Sequence, residues 1–410
     1  MYDCTDNIAY RSGIGITEKL VAILCGLYIF PPTPGLIKQA AYAIMAILCL
    51  IHLIYRRKIE INRDRFFYFL SIVVIGAGIV YSTNNRDGIT HLLHYVITFI
   101  VVLQLSKNNV DTAKYINKML VTIGYTCVFF TILQMIFPSI VNSLVDLLYS
   151  ERSAWMHHYY ASSKHSYYGI CPTSYENSLL CSFALFDAII SILSKKKTKS
   201  KYYIVLMICI LSIVATQKRG IILSALVAII VYLAVFYFDR SESLRAKVAI
   251  TFLAIFACFG IIWFLNFSVI GNALVERLVF NGEDISTSGR SEIYSTLLND
   301  IDKNVWFGHG SGATYGVISI GAHNIYIQLL YDNGIIGLSI FVIFFLNNLI
   351  SAYSIIKTAD EEYKPIVTFS FICQVVYITY GFSGNPLYYT NTLLLYGLYL
   401  SMKENIKQFR

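Results

Sequence analysis

Apolar residues along this chain run in long uninterrupted blocks, divided by short polar punctuation. A helix needs about 20 mostly apolar residues to cross the hydrocarbon core of a bilayer. Twelve blocks approach that length: roughly 15–31, 36–55, 66–82, 88–105, 115–137, 175–194, 202–217, 219–238, 247–266, 334–356, 365–382 and 386–402. None alternates inside and outside as a barrel strand does, so the blocks predict helices. The pattern predicts an all-α polytopic integral membrane protein of about 12 transmembrane helices. It forms a single membrane domain over 1–410, without a soluble domain of its own.

Charge then sets the orientation, because cytoplasmic loops carry an excess of Lys and Arg. With the N-terminus inside, 23 of the 32 Lys and Arg fall on inward segments and 9 on outward ones. Both termini are therefore expected in the cytoplasm. The tracts Tyr55–Lys58 and Lys195–Lys201 read as topology signals beside spans rather than as nucleic-acid contacts. Composition agrees: 56% of residues are hydrophobic and 14% charged, against about a quarter charged in a soluble domain. Residues 1–15 are polar and do not read as a cleavable signal. Of the cysteines outside spans, only Cys171 falls on an outward segment, so no disulfide framework is expected. No HExxH or CxxC motif suggests a metal. His91 and His94 share one helix face but have no evident third ligand. Asp187 lies well inside a span, where an acid is by default a functional candidate. It falls toward the inner half, where a structural hydrogen bond explains it as well.

Two outward loops are long, at roughly 138–174 and 267–333. In a compact protein such loops are functional or disordered. The first opens with an amphipathic stretch, Ile140–Leu148, which places Val141, Leu144, Val145 and Leu148 on one face and suits a helix in the membrane interface. Arg152, Trp155, His157, His158, Tyr159, Tyr160, Lys164 and His165 follow. Aromatic faces stack on sugars and cations meet phosphate; an interfacial aromatic belt explains the tyrosines equally well. The second loop runs through turn-like 281–290 into a helical stretch, Glu292–Ile301. A flexible glycine loop follows, Gly308-His309-Gly310-Ser311-Gly312. It lacks the Lys-Ser/Thr ending of a phosphate-binding P-loop and the central serine of a nucleophile elbow. His323-Asn324 opens another helix before the span at Gly334. Between two spans, Lys218 and Arg219 stand on the outward side against the charge bias. Such cations are costly at a membrane edge without a partner or an anionic ligand.

Taken in order, Thr216-Gln217-Lys218-Arg219-Gly220, Ser288-Gly289-Arg290, Trp306-Phe307-Gly308-His309-Gly310, His323-Asn324-Ile325-Tyr326 and Asp332-Asn333-Gly334-Ile335-Ile336-Gly337-Leu338 resemble the O-antigen polymerase and O-antigen ligase superfamily. The resemblance covers about residues 216–340. It departs at Gln217-Lys218, where the family carries a serine before the arginine. It departs again at Lys164-His165 and Cys171-Pro172-Thr173-Ser174, where an arginine and a different element are usual. The resemblance implies a GT-C-like glycosyltransferase of the bacterial inner membrane, with its active site facing the periplasm and with neither metal nor cofactor. Its substrate would be an undecaprenyl-pyrophosphate-linked oligosaccharide drawn from the lipid bilayer. A chain-length regulator and a flippase would be its partners, and nucleic acid would not.

The residues fit that chemistry. Cleaving a glycosyl–pyrophosphate bond puts negative charge on the departing phosphate. Arginine binds such oxygens bidentately and stays charged. Arg219 and Arg290 are accordingly assigned to the pyrophosphate. Lys218, Arg152, Lys164, His165, Arg277 and Asn324 are further candidates for substrate binding. The acceptor hydroxyl needs a base, and histidine's unperturbed pKa of about 6.5 suits proton transfer near neutrality. His323 is the family-matched candidate; a helix-capping role for it, and Glu276, Glu283, Asp284 and Glu292 as rival bases, stay open. Direct attack predicts inversion at the anomeric carbon. The compact chain and tyrosine-rich outer loop favour a polymerase, with a ligase that transfers glycan to lipid A-core as the alternative. A lipid-linked oligosaccharide flippase is the reading of another class. It would place its polar groups near the midplane rather than in outer loops.

Overall fold

A computed structural model describes residues 13–55, 61–194, 200–237 and 290–407. Among them there is no strand. In chain order the helices are α1 Ile16–Ile29, α2 Gly35–Tyr55, α3 Arg63–Ile79, α4 Asn85–Leu105, α5 Val110–Ile136, α6 Pro138–Leu148, α7 Glu151–Lys164, α8 Ser174–Leu193, α9 Ser200–Ala215 and α10 Arg219–Tyr237. They continue with α11 Arg290–Asp300, α12 Ala313–Ile318, α13 Ile325–Thr358, α14 Lys364–Tyr380 and α15 Thr390–Ile406. The chain is an all-α polytopic membrane protein. Five helices, α2, α4, α5, α8 and α13, are long and apolar enough to cross a membrane, and α9, α10 and α14 are shorter apolar helices. Eleven of the twelve expected blocks coincide with described helices; 247–266 lies outside the described residues.

Helix starts follow the polar punctuation. The side chains of Asn62, Asn109, Thr173 and Asn324 each accept a backbone N–H of the first turn of α3, α5, α8 and α13, satisfying donors that the helix cannot satisfy itself. Inside the bundle α8 is the most enclosed of the long helices and α2 the least, with 72% and 17% of their apolar windows buried. Ile37, Ile44, Ile47 and Ile51 of α2 stay exposed, as side chains facing lipid do. Lipid is as apolar as leucine, so association rests on packing and hydrogen bonds rather than on escape from water. Aromatic rings supply much of that packing. Tyr95 meets Phe341 edge-on at 5.8 Å, and Phe345 meets Tyr396 edge-on at 5.6 Å.

One end of the bundle is closed by a buried polar clamp. Lys403 donates to Asp64 Oδ2 and to Asn348 Oδ1, both at 2.7 Å. Asn347 and Ser351 of α13 also donate to the Asp64 carboxylate, at 2.5 and 3.1 Å. Asn405 Oδ1 accepts the N–H groups of Lys107 and Asn109. The last turn of α15 is thereby tied to α3, α13 and the α4–α5 turn.

The first long loop and the described part of the second, 290–333, gather at the opposite end. The first is built, not open: α6 and α7 fold back on α5, burying Val141, Val145, Ala154 and Ile170 together. Val141 and Val145 fall on the expected face of α6, while Leu144 and Leu148 are half-buried. His157 is fully buried here. Its Nε2 lies 3.0 Å from Gly169 O, its Nδ1 3.3 Å from Gln134 Nε2, and Gln134 Oε1 accepts the Gly169 N–H at 2.9 Å. His158 instead meets Asp146 at 3.0 Å. The two histidines hold α7 in place.

Candidate functional site

The segments that carry the expected chemistry are stitched together at the loop-bearing end. Tyr167 N–H donates to Ala215 O at 3.0 Å, Ser166 Oγ to Thr216 O at 2.7 Å, and Gln217 Nε2 to His165 O at 3.2 Å. The first long loop is thus laid against the turn that bears Lys218 and Arg219. Gln217 takes positive φ, 54°, to make that turn. On its other side Gly220 packs against Tyr380 and Ser383 so closely that a Cβ would collide with the Ser383 hydroxyl. The α14–α15 connection continues the contact: Gly381 O accepts the Ile325 N–H at 2.8 Å. Lys218 and His323 therefore flank the same 380–383 turn.

His323 sits on a constrained loop. Its φ is 55°, a left-handed conformation that costs a non-glycine residue energy and persists only where its surroundings impose it. Ala322 N–H donates to Gln328 Oε1 at 3.1 Å, and Asn324 Oδ1 accepts Tyr326 N–H and Ile327 N–H at 2.9 and 3.2 Å. Asn324, expected as a substrate contact, is thus the N-cap of α13. Arg290 opens α11, two residues ahead of the expected start at Glu292. Leu297 of that helix packs with Ala313, Ala322 and Tyr331, which lays the second half of α11 against the His323 loop. A single 3-10 turn, Ile301–Lys303, follows α11.

Electrostatics show the convergence. Burial first, then the charges of Arg290 and Lys218, hold the His323 imidazole below the ordinary histidine range. Burial first, then Arg290, lowers the Lys218 ammonium as well. The Arg290 charge also acts on Tyr380, a residue that reads in the sequence only as the polar end of a span. No ion pair engages Lys218, Arg219 or Arg290 among the described residues. Lys218 and Arg290 thus lie close enough to act on the His323 imidazole, a setting for a multiply charged anion beside a proton acceptor.

The remaining candidates separate. Arg219, one residue past Lys218, is exposed at the first turn of α10. Arg152 and Lys164 are exposed on α7, and His165 is its left-handed C-cap with φ 50°. Glu292 is exposed on α11. Arg277, Glu276, Glu283 and Asp284 lie outside the described residues. His91 packs against Tyr315 and Tyr388, and His94 lies 3.1 Å from Thr390 Oγ1. Among the described residues no group of three or more metal-ligating side chains forms.

The glycine loop is a brace, where the sequence suggests flexibility. His309 and Gly310 donate their N–H groups to Tyr331 O and Asp332 O, both at 2.8 Å. The Asp332 carboxylate accepts Thr314 N–H at 2.9 Å and Thr314 Oγ1 at 2.7 Å. Asn333 Nδ2 donates to Ser311 Oγ, and Ser311 Oγ to Ile75 O, both at 2.8 Å. These groups are spent on the protein, so the loop is no phosphate cradle. Its partner, Asp332-Asn333-Gly334, is the elbow of α13, where Gly334 takes φ 65°, ψ −170°. The expected helix before the span and the span itself are one element, kinked at that glycine.

Residues 204–342 match the family model described as O-antigen ligase. The match contains Lys218, Arg219, Arg290, His323 and the glycine brace. No curated protein matches the chain significantly. The family match supports placing the chain in the O-antigen polymerase and ligase superfamily, as a membrane transferase of that general type.

Proposed function

We propose that this chain is a glycan polymerase of the bacterial inner membrane. It transfers a growing chain from undecaprenyl pyrophosphate to the sugar end of a new lipid-linked repeat unit. Its loop-bearing end faces the periplasm and both termini lie in the cytoplasm. The observation that carries this reading is the placement of Lys218 and Arg290 around His323 with no carboxylate paired to either cation among the described residues. The acceptor hydroxyl oxygen attacks the anomeric carbon while its proton passes to His323. The bond from that carbon to the pyrophosphate oxygen breaks, and the electron pair leaves with the pyrophosphate. Arg290 and Lys218 meet the charge that develops there. Preorganised donors at developing charge are commonly the largest catalytic contribution, and a positioned base adds about 10²–10⁴-fold. Arg219, exposed beside Lys218, is the outermost of the three cations. Direct displacement inverts the anomeric centre.

A second reading, transfer of finished glycan to lipid A-core, is favoured by the description of the matched family and uses the same chemistry with another acceptor. The glycolipid gel profile of a deletion strain separates them. Core carrying a single repeat, with the ladder restored by wild type and not by His323→Ala, is the polymerase result. Bare core with long glycan held on undecaprenyl pyrophosphate is the ligase result. An unchanged ladder would overturn both.

A further inference from the structure

A second polar group lies beyond Tyr380, where the first turns of α8 and α15 meet the start of α2. Glu176 Oε1 accepts Asn391 Nδ2 at 2.8 Å. Its other oxygen, Oε2, is buried and has no hydrogen-bond partner. The neighbouring Tyr175 hydroxyl is buried beside the Thr392 side chain. Buried polar atoms are almost always hydrogen-bonded, so the unpartnered Glu176 oxygen calls for an explanation. Lys38 of α2 acts electrostatically on Glu176 without a direct ion pair to it among the described residues. The Tyr175 ring stacks on Tyr380 at 5.0 Å and 13°, and Tyr380 in turn feels Arg290. A line of side chains therefore runs from Arg290 through the two stacked tyrosines to a carboxylate and an amide.

Carboxylate, amide, phenol and aromatic face are the groups that recognise a sugar: the oxygens accept hydroxyl protons and the rings lie against C–H faces. Phosphate is a poor occupant, because the Glu176 carboxylate would repel it. We propose that Glu176 and Tyr175 form a sugar subsite that binds hydroxyls of the acceptor repeat unit and presents it to the pyrophosphate site. The identity of that sugar as the acceptor rests on the polymerase reading above. Its lipid tail enters along α2, the most lipid-exposed of the long helices. The donor occupies the Lys218–Arg290 side, and the acceptor the Glu176 side.

The test uses the purified full chain in detergent and the delipidated repeat-unit oligosaccharide, released from its carrier by mild acid, with affinity measured by calorimetry. The oligosaccharide has no pyrophosphate, so its binding reports the sugar subsite alone. Wild type and Arg290→Ala are expected to bind it alike, and Glu176→Gln about tenfold more weakly. Equal affinity in wild type and Glu176→Gln overturns the subsite, as does absence of binding by a wild type that polymerises. Should Glu176→Gln fail to fold, Tyr175→Phe, which keeps the ring stack, must show a comparable loss, and unchanged affinity there overturns the proposal. Glu176-dependent binding in a protein whose Arg290→Ala variant still polymerises normally would keep the subsite and reject the polymerase mechanism instead.

Discussion

Gly308 and Gly334 occupy one another's space: a Cβ on Gly308 would stand 2.5 Å from Gly334 N, and a Cβ on Gly334 2.6 Å from Gly308 N. This contact joins the glycine brace to the elbow of α13 and so fixes the direction in which the His323 loop leaves that helix.

Gly334→Ala should therefore destabilise the protein. Its φ and ψ fall in a region essentially reserved for glycine, where another residue costs about 1–3 kcal/mol, and the added methyl also meets the Trp306 carbonyl. A thermal melt in detergent checks this. An unshifted midpoint would show that the elbow relaxes freely.

At the far end of the bundle, Lys403→Met should be more severe. It leaves the buried Asp64 carboxylate with only the Lys407 ammonium, 3.9 Å away, a loss approaching about 3–5 kcal/mol. Adding Asp64→Asn to the same chain should recover much of that, because the uncompensated charge is then gone. The two denaturation curves decide the matter, and a double variant no better than the single one would refute the argument.

His157 should make folding stability pH-dependent. Burial lowers its pKa from 6.5 to about 4, so the fold holds it neutral. Above pH 6.5 it is neutral in both folded and unfolded chains and contributes no pH dependence. Between about 6.5 and 4 the unfolded chain takes up a proton that the fold refuses, and stability falls by about 3 kcal/mol. Melts of wild type and His157→Gln across that window should diverge in slope; parallel curves would contradict the assignment.

His323 should titrate below the ordinary histidine range and lose its proton-accepting form only as pH falls through that lowered value. Arg290 adds to the lowering. Arg290→Gln removes a nearby positive charge, eases protonation and moves the titration upward. Selective histidine labelling with NMR reads the shift directly. A titration that Arg290→Gln leaves in place would separate the two residues.

Much of this was legible in the residues. Continuous apolar blocks located α2, α4, α5, α8 and α13, because a membrane helix must carry its whole apolar surface in one stretch. Arg219, Arg290 and His323, with Lys218 beside them, stand out in the sequence because cations and a histidine sit at outer turns against the charge bias and in a family order. Their ranking was not: whether Lys218 or Arg219 turns toward His323 depends on the left-handed Gln217, which no periodicity reveals. The Gly308–Gly312 loop misled, since glycines that serve close backbone approach look the same in sequence as glycines that serve mobility. The grouping of Tyr175, Glu176 and Tyr380 was invisible because they meet only when α8, α14 and α15 pack. Asn324 has a structural role that no motif names, for its Oδ1 caps α13.

The most direct test of the central claim is cell-free transfer by the purified protein with undecaprenyl-pyrophosphate-linked repeat unit as both donor and acceptor. The account predicts polymer from wild type, a loss of about 10²-fold or more for Arg290→Ala and a loss of about 10²–10⁴-fold for His323→Gln. The effect should decrease from Arg290 to Lys218 to exposed Arg219, because a water-exposed charge is screened. Normal polymer from Arg290→Ala or His323→Gln would contradict it.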